Sequence, residues 1–441
     1  MKDFFEKFRN IFRIPELKER IIYTFGLLAV FRLGSFIILP GIDSALLSAQ
    51  FKSGSGGIQD LLNIFVGGAF QRGAIFALGI MPYISASIIV QLLAIAVPTI
   101  AKKQKEGDSG QKWINQLTRY LTVLITFGQA PGYLAYITNT TNGAVPGDNM
   151  FFWVSSIIIL SAGTLFLVWL GERITDNGIG NGISLVIAIG IISQLPVAMV
   201  QEFQSNMPMR FFMEIIMMGI VTMAVVALTQ ATRQIPINYA RRMVGNRMMS
   251  SNARQYIPLK VNSAGVMPII FAQSLMFIPA QLFMALPETS SFRQAGAFMT
   301  DNTGWVYNIF FALLIILFSY FYTAIVINPT EIADNLKKNG GFIPGIKPGK
   351  KTSEYIDNIL SKITLPGSIF LAFVAILPAI AQNLGVSRGF SDFFGGTSIL
   401  IMIGVVLDTL QQIESYLLMR HYDGLMKTGR IRKTQQSGVV V

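Results

Sequence analysis

The chain has 441 residues and a formal net charge of +12; 52% of its residues are hydrophobic, only 13% are charged, and its mean hydropathy is +0.53. About a quarter of the residues in an ordinary soluble domain are charged, so this composition indicates a membrane protein. The chain has no cysteine and one histidine, His421, which excludes thiol nucleophiles, disulfides and thiolate metal sites, and disfavours a histidine-based triad or zinc site.

Apolar stretches of about 20 residues, the length that crosses a bilayer, recur ten times along the chain. The first 20 residues carry charges of both signs without a cleavage-site pattern, so we expect a cytoplasmic N-terminus and no cleaved signal peptide. The sequence therefore predicts an all-α polytopic membrane protein with both termini on one side. The predicted spans are 21–40, 74–97, 117–138, 152–171, 183–203, 211–231, 263–286, 304–328, 363–382 and 397–418.

Basic residues are concentrated on one side of the predicted bundle. The N-terminus, the even-numbered loops and the tail hold 29 of the 35 lysines and arginines, which predicts that these segments are cytoplasmic. Two of the loops, 232–262 and 329–362, are long for simple connections. Such basic loops could serve only to set topology, or could meet anionic lipid headgroups, ribosomal RNA or an acidic protein partner, and charge alone does not choose between these.

The stretch 57–93 predicts irregular backbone at membrane depth. Residues 58–70 form an amphipathic pattern too short to span a bilayer, and a spanning segment begins after the polar break 71–73. Irregular backbone is tolerated at this depth only where protein or a water-filled cavity covers it, so a cavity is implied. Aliphatic residues such as Ile80 and Ile84 recur at helical spacing beyond the break, which by itself is more typical of packing than of a gate.

Several kinds of chemistry are disfavoured by the residues. A P-loop match in the segment GGFIPGIKPGKKT fails because Pro344 replaces its first glycine and Lys351 replaces its hydroxyl residue. A solute transporter would be expected to carry partnered acidic residues near the bilayer centre, whereas the ionisable residues within the spans are few, chiefly Arg32, Asp408 and Glu414. An intramembrane hydrolase lacks a histidine-based apparatus. These remain the competing hypotheses.

Long motifs in the order and at the intervals of a known family carry a resemblance over nearly the whole chain. They are FRLGSFIILPGID, FALGIMPYISASIIVQLL, KKQKEGDSGQKW, WLGERITDNGIGNGIS, IPLKVNSAGVMP, FYTAIVINPTEIADNLKKNGGFIPGIKPG and GGTSILI. The chain resembles the SecY family, the central subunits of bacterial protein-conducting channels and of the endoplasmic-reticulum translocon. The resemblance implies a passive, gated, non-enzymatic channel without a cofactor, which passes unfolded preproteins and releases transmembrane segments laterally into the lipid of the bacterial cytoplasmic membrane.

The resemblance also implies an architecture. Two pseudo-symmetric five-helix halves, 21–206 and 207–418, would enclose an hourglass pore between a cytoplasmic N-terminus, 1–20, and a cytoplasmic tail, 419–441. A plug helix, 58–70, would seal the pore, and residues 71–73 would be the hinge on which it moves. A lateral gate would lie between the second and third spans on one side and the seventh and eighth on the other.

The family's functional positions map onto individual residues of this sequence. The implied pore ring is Ile80, Ile84, Ile183, Ile187, Ile270 and Ile401. The implied plug residues are Ile58, Leu61, Leu62, Ile64, Phe65, Gly67, Gly68 and Phe70. The implied gate residues are Gln91 and Asn262, and the implied docking residues are Arg241, Arg242, Arg247, Lys347 and Lys350.

The resemblance further implies partners: the small membrane subunits SecE and SecG, the SecA ATPase, the ribosome, signal peptides and unfolded preproteins, and the phospholipid bilayer. The sequence departs from the family pattern at two places. Lys347 replaces the usual arginine of the loop tip and loses its bidentate fork. Residues 262–265 read Asn-Ser-Ala-Gly where the family has Asn-Met-Ala-Gly, a change from which we expect little consequence.

Overall fold

The computed structural model describes most of the chain. Its backbone is described for residues 14–54, 58–104, 106–140, 150–205, 208–239, 243–244, 247–248, 255–284 and 304–436. Side chains are described over a narrower set: 14–49, 62–104, 106–138, 150–204, 208–239, 255–276 and 304–418.

Helices make up most of the first half of the chain. In order they are α1 (Pro15–Gly34), α2 (Ser44–Gly54), α3 (Ile58–Phe65), α4 (Ala69–Arg72), α5 (Met81–Ala96), α6 (Pro98–Gln104), α7 (Asp108–Thr140), α8 (Met150–Asn177) and α9 (Gly182–Ser205). The short helices α3 and α4 lie where the sequence predicts a single helix over 58–70. That prediction is wrong in length, because Gly67 and Gly68 both adopt positive φ, +66° and +85°, and end the helical path between the two pieces.

The second half adds strands to the helices. Its elements are α10 (Pro208–Gln230), β1 (Thr232–Tyr239), β2 (Met243–Val244), β3 (Arg247–Met248), β4 (Gln255–Lys260), α11 (Met267–Met284), α12 (Trp305–Val326), α13 (Pro329–Lys338), β5 (Gly341–Phe342), α14 (Lys350–Asn383), α15 (Arg388–Ser391) and α16 (Gly396–Gln436). Each of the ten predicted spans overlaps a helix of at least 16 residues.

Within the described part of the chain, six helices are long and apolar enough to cross a membrane. A seventh candidate is the pair α5 and α6, whose axes meet at 108°. The six candidate spans, of which the fourth combines α12 with α13 and the last combines α15 with the first part of α16, are Met150–Asn177, Gly182–Gln204, Pro208–Gln230, Trp305–Lys338, Lys350–Asn383 and Arg388–Leu418. The ten-helix count predicted from the sequence is consistent with this arrangement, in which the other long helices complete the bundle.

The predicted second span is helical only in its later part. Residues 74–80 form turns, and the backbone there is paired with the end of the first helix: Leu39 N donates to Gly73 O at 2.8 Å and Ile75 N donates to Ile37 O at 2.9 Å. Helix α5 begins only at Met81 because Pro82 is favoured in the first turn of a helix and disfavoured further inside. The irregular backbone before α5 is thus largely covered by other parts of the protein.

A small antiparallel sheet joins the two long loops of the second half. Its strand order is β4-β1-β5, with Thr232 opposite Lys260 and Asn238 opposite Phe342. These strands were not predicted from the sequence. The sheet packs against α13 and the start of α14 around a second hydrophobic core, separate from the main core of the bundle. That second core consists of Ile235, Ile237, Leu259, Leu336, Ile343, Ile356 and Leu360.

One polar contact connects the two predicted halves beside their junction, and another lies next to it within the second half. In the second half, Arg210, at the start of α10, donates from Nη2 to the carbonyl of Leu384 at 2.9 Å. The buried carboxylate of Glu202 accepts from the backbone N–H of Ser387 at 3.2 Å. The junction itself, residues 206–207, lies outside the described residues.

A plugged constriction as the candidate functional site

Helices from both predicted halves surround a small cavity of about 20 Å³ that is lined largely by residues of the main hydrophobic core. Its lining comes from α5, α8, α9, α11 and α16 together with the end of α3 and with Phe31 of α1. Gln273 is the one polar side chain in this lining. The lining residues are Phe31, Phe65, Val66, Gly79, Ile80, Met81, Ile84, Leu167, Val186, Ile187, Ile270, Gln273 and Ile401.

The structure brings together five of the six isoleucines in the implied ring. Ile80 and Ile84 lie one turn apart at the start of α5, and single residues come from α9, α11 and α16: Ile187, Ile270 and Ile401. All five line the same cavity although 321 positions separate the first from the last in the sequence. Four of them are at most 7% exposed, and Ile270 is half-buried.

Ile183 is placed differently. It lies one helical turn before Ile187 on α9, does not line the cavity, and packs against α8. A Cβ atom built on Gly171 of α8 would lie 2.9 Å from Cγ1 of Ile183, so the two helices are in close contact there. Five of the six residues of the implied ring therefore line this cavity.

The end of the predicted plug closes one side of the cavity. Phe65 and Val66 line it directly and are 8% and 3% exposed. The plug rests on α9 without room for a side chain between them: a Cβ atom at Gly190 would lie 2.3 Å from the carbonyl oxygen of Phe65. Leu62, Ile64 and Phe70 are also buried. The side chains of Ile58 and Leu61 lie outside the described residues.

Two arginines, of which the resemblance marked only Arg72 as part of the implied hinge, contact the segment that follows the plug helix. Arg32 Nη1 and Arg72 Nη2 both donate to the carbonyl oxygen of Gly67, at 2.8 and 2.7 Å. The sequence contains a partial signal, since Arg32 is a basic residue inside a predicted span. It could not show that Arg72, 40 positions later, reaches the same atom.

Other lining residues were also missed by reasoning from the sequence. Phe31, Leu167 and Val186 are apolar residues in apolar helices, and nothing in their local pattern separates them from the rest of the core. Gln273 did carry a signal, because it is a polar residue three positions after Ile270 in an apolar span. Among the described residues, no group of acidic or histidine side chains suited to a metal ion is present.

The implied gate residues lie on neighbouring elements. Helix α5, which carries Gln91, packs against α11, which begins shortly after Asn262. In the described part of the chain, each side chain bonds within its own segment: Gln91 Nε2 to Ser87 Oγ at 3.4 Å, and Asn262 Nδ2 to the carbonyl of Gly265 at 3.1 Å. Each of these hydrogen bonds therefore stabilises its own side of the contact and does not cross between α5 and α11.

The implied docking residues are only partly described. Lys347 and Lys350 are exposed at the tip that connects the small sheet to α14. The backbone of Arg247 belongs to β3, but its side chain lies outside the described residues, as do Arg241 and Arg242 entirely.

These features define a polytopic helical membrane protein with a central apolar constriction and a short helical segment lodged against it. The SecY family model matches residues 74–410 of the chain. The protein translocase subunit SecY of Chlamydia muridarum (strain MoPn / Nigg) is 40% identical over 450 aligned positions, which cover 96% of this chain and 98% of that protein. The chain belongs to the SecY family.

Solved structures share the fold. One of them is a SecY structure, whose authors describe the plug domain as stabilising the closed state of the translocation channel and maintaining a membrane seal. It matches with a TM-score of 0.66 and 20% identity, over 90% of this chain and 92% of that one. Sec61 in the canine ribosome-channel complex from the endoplasmic reticulum matches with a TM-score of 0.62 and 17% identity, again over 90% and 92%. At these identities the likeness concerns the fold.

Proposed function

We propose that this chain is the pore-forming subunit of a Sec translocon, a passive channel through which unfolded secretory polypeptides cross the membrane. The observation that carries the proposal is the apolar cavity to which five isoleucines from four helices converge and which Phe65 and Val66 close. Membership of the SecY family supports it independently of that geometry. The chain itself acts without catalysis, and a partner supplies the energy.

The isoleucines are the seal of the resting channel in this proposal. An apolar constriction blocks ions by excluding water from its narrowest part, without binding the ions. Branched aliphatic side chains can also yield around an extended polypeptide of varying side-chain size, since their contacts are individually weak and non-directional. The same ring thus blocks ions at rest and closes around the polypeptide during transport.

Apolar segments of a substrate leave sideways between α5 and α11, the lateral gate. The contact between these helices is a contact of apolar surfaces, so it can be replaced by lipid or by an apolar substrate helix at small cost. A segment of about 20 apolar residues then partitions into the bilayer because burial of its surface is favourable. Gln91 and Asn262, one on each side of the contact between α5 and α11, adjust the stability of the closed gate.

The location of the channel and its partners are also part of the proposal. The uneven distribution of basic residues supports cytoplasmic termini and loops in the cytoplasmic membrane of a bacterium. The exposed basic tip at Lys347 and Lys350, with Arg241, Arg242 and Arg247 of the preceding loop, is proposed to receive SecA or the ribosome. The canine relative was solved in a ribosome-channel complex, which favours a ribosome-docking role. SecE and SecG are proposed to complete the channel.

The experiment is reconstitution of the channel, with SecE and SecG, in lipid vesicles. When SecA, ATP and a preprotein with a signal peptide are added, we expect the preprotein to become protected from external protease, because it has entered the vesicle lumen. Vesicles without the channel, and vesicles given a preprotein that lacks its signal peptide, are the controls. Equal protease sensitivity in all three preparations would refute the proposed function.

A further inference from the structure

Two arginines share one backbone oxygen at the point where the plug ends. Arg32, in the last turn of α1, and Arg72, the last residue of α4, each donate a guanidinium N–H to the carbonyl of Gly67 at 2.8 and 2.7 Å. Both guanidinium groups also lie over the ring of Phe36, 4.8 and 4.3 Å from its centroid. Two groups of like charge, which repel each other, are therefore held together by one acceptor and one aromatic face.

The shared oxygen matters because the charges have few other partners. The ion pairs among the described residues involve neither arginine, and Nε of Arg72 is buried without a hydrogen-bond partner there. A buried cationic N–H that loses its acceptor is costly, more so than for a neutral donor. The ion pairs are Lys103–Glu106, Arg119–Glu172 and Arg210–Glu214.

The close approach depends on the residue types at the acceptor. Gly67 has a φ of +66°, and a Cβ atom there would lie 2.8 Å from Nη1 of Arg32 and 3.0 Å from Oγ of Ser193. Gly68 has a φ of +85°, and a Cβ atom there would lie 2.2 Å from Nε2 of Gln194. A side chain at either position would displace the carbonyl from the arginines or from α9.

The backbone after Gly68 is anchored, whereas the plug before it is not held by those anchors. The hydroxyl of Tyr133 donates to the carbonyl of Phe70 at 2.8 Å, and Gly73 accepts from Leu39 N at 2.8 Å. Arg72 lies between these two fixed points. Asn63 of the plug accepts at Oδ1 from the backbone N–H of Gln71 at 3.1 Å, so movement of the plug would break this bond, carry away the carbonyl of Gly67 and leave both arginines behind.

We propose that Arg32 and Arg72 are the two arms of a latch that holds the plug closed through the carbonyl oxygen of Gly67, and that the plug pivots at Gly68 when both arms release it. The inference rests on the proposed function, in which this segment is the plug of a polypeptide channel. Arg32 and Arg72 are positioning residues: they set where the plug rests and do not touch the substrate. Their mutual repulsion makes the closed state easy to leave once the oxygen begins to move.

The two arms compete for one acceptor, which gives a specific expectation for variants. When one arm is removed, the other no longer shares the oxygen or feels a neighbouring charge, so it bonds better and compensates in part. We therefore expect Arg32→Gln and Arg72→Gln each to raise the resting ion leak about 3-fold, and the double variant to raise it about 30-fold or more, which exceeds the product of the single effects.

The leak is measured as ion conductance of the complete channel complex in planar bilayers, without SecA or ribosome. Arg20→Gln is the matched control, because Arg20 lies on the same helix, donates to the carbonyl of Gly178 at 3.2 Å and lies over the ring of Tyr416, but does so far from the plug. Arg32→Lys and Arg72→Lys keep a charged donor, and we expect both to stay within about twofold of the parent.

The outcomes separate the latch from the function on which it rests. A double glutamine variant that leaks no more than Arg20→Gln, in a channel that still translocates a preprotein, overturns the latch and leaves the proposed function standing. A parent channel that protects no preprotein in vesicles overturns the proposed function. A double variant that leaks strongly while both lysine variants leak as strongly also overturns the latch, because a charged donor in place should have kept it closed.

Discussion

At the scale of single residues, the constriction is a set of side chains that cannot hydrogen-bond to water. Five isoleucines meet in one cavity, and a sixth, Ile183, lies one turn away and packs between helices instead. The resemblance implies six isoleucine positions from the family motifs, and five of them line this cavity. It does not predict which residue faces the cavity, since the rotation of α9 depends on how Gly171 and Gly190 let neighbouring backbones approach.

The first prediction uses this difference between two isoleucines of one helix. Ile187→Asn places an amide in the constriction, where it can hold water and create a hydrated path for ions. We expect the resting conductance of the channel to rise severalfold, and Ile84→Asn and Ile270→Asn to act in the same direction. Single-channel recording in planar bilayers without partner proteins provides the measurement.

Ile183→Asn is the matched control, because it makes the same change at the same kind of helical position. We expect its conductance to remain near that of the parent, with the loss of helix packing appearing as a lower melting temperature instead. Equal leak from Ile183→Asn and Ile187→Asn would contradict a ring that includes Ile187 and leaves Ile183 outside.

The second prediction concerns the seat of the plug on α9. In Gly190→Ala the new methyl group would lie 2.3 Å from the carbonyl oxygen of Phe65, closer than any real contact, so the plug must shift. We expect the resting leak to rise roughly tenfold, equivalent to about 1.4 kcal/mol against the closed state. Gly219→Ala on α10 is the control, because a Cβ atom there has no neighbour within 4 Å. If Gly190→Ala left the resting leak unchanged, the contact between α9 and the plug would not hold the plug in place.

At the scale of elements, the proposed plug helix α3 is followed by the glycine pair Gly67 and Gly68, by the short helix α4 and by a segment whose backbone is paired with the end of α1. The sequence suggests residues 71–73 as the hinge, but in the structure Gln71 and Arg72 belong to α4, and Gly73 is bonded to Leu39. Gly67 and Gly68 have left-handed backbones, and the pivot proposed above lies at this pair instead. A sequence alone could not show this, because the pairing of residues 37–39 with 73–75 is a contact between segments more than 30 positions apart.

The third prediction is that the plug can be locked by a disulfide. A Cβ atom at Gly79 would lie 3.6 Å from Cβ of Val66, within the range that a disulfide bridges. In the pair Val66→Cys and Gly79→Cys we expect oxidation to stop preprotein translocation into vesicles and reduction to restore it, because the plug can leave only when the bond is open.

The chain has no cysteine of its own, so any disulfide within this subunit is the engineered one. Each single cysteine variant, treated with the same oxidant, controls for damage to SecA or to the vesicles. Full translocation through a verified, fully oxidised double variant would show that transport does not require the plug to move away from Gly79.

At the scale of the whole molecule, hydropathy predicts the helices of the bundle, because the bilayer sets the length of each span, and the orientation stays a prediction from charge. They do not predict the small sheet of the second half, since its strands are short and pair across a separation of about 100 positions between β1 and β5. The alternation of buried Ile235 and Ile237 with exposed neighbours was a signal that could have found β1.

The fourth prediction concerns the exposed basic tip. Reversing charge in Lys347→Glu and Lys350→Glu together should weaken SecA-driven translocation and the apparent affinity for SecA by about tenfold or more at low salt, with a smaller effect at high salt because exposed charges are screened. The measurements are titrations of SecA into the vesicle assay at two salt concentrations.

Lys102→Glu, which reverses an exposed charge in another predicted cytoplasmic loop, is the control. If the tip variant and the control behaved alike, or if salt made no difference, the tip would be a topological signal without a docking role.

The two hydrophobic cores are connected by one continuous helix. Helix α14 packs Ile356 and Leu360 into the core of the sheet and Leu371 and Val374 into the core of the bundle, and at 34 residues it is about 50 Å long. Its Val374 carbonyl abuts Gly395, at 2.8 Å from a Cβ atom built there, just before the helix that carries Ile401. The small sheet and the wall of the cavity are thus joined by a single helix, in which Pro366 lies between the two regions of contact.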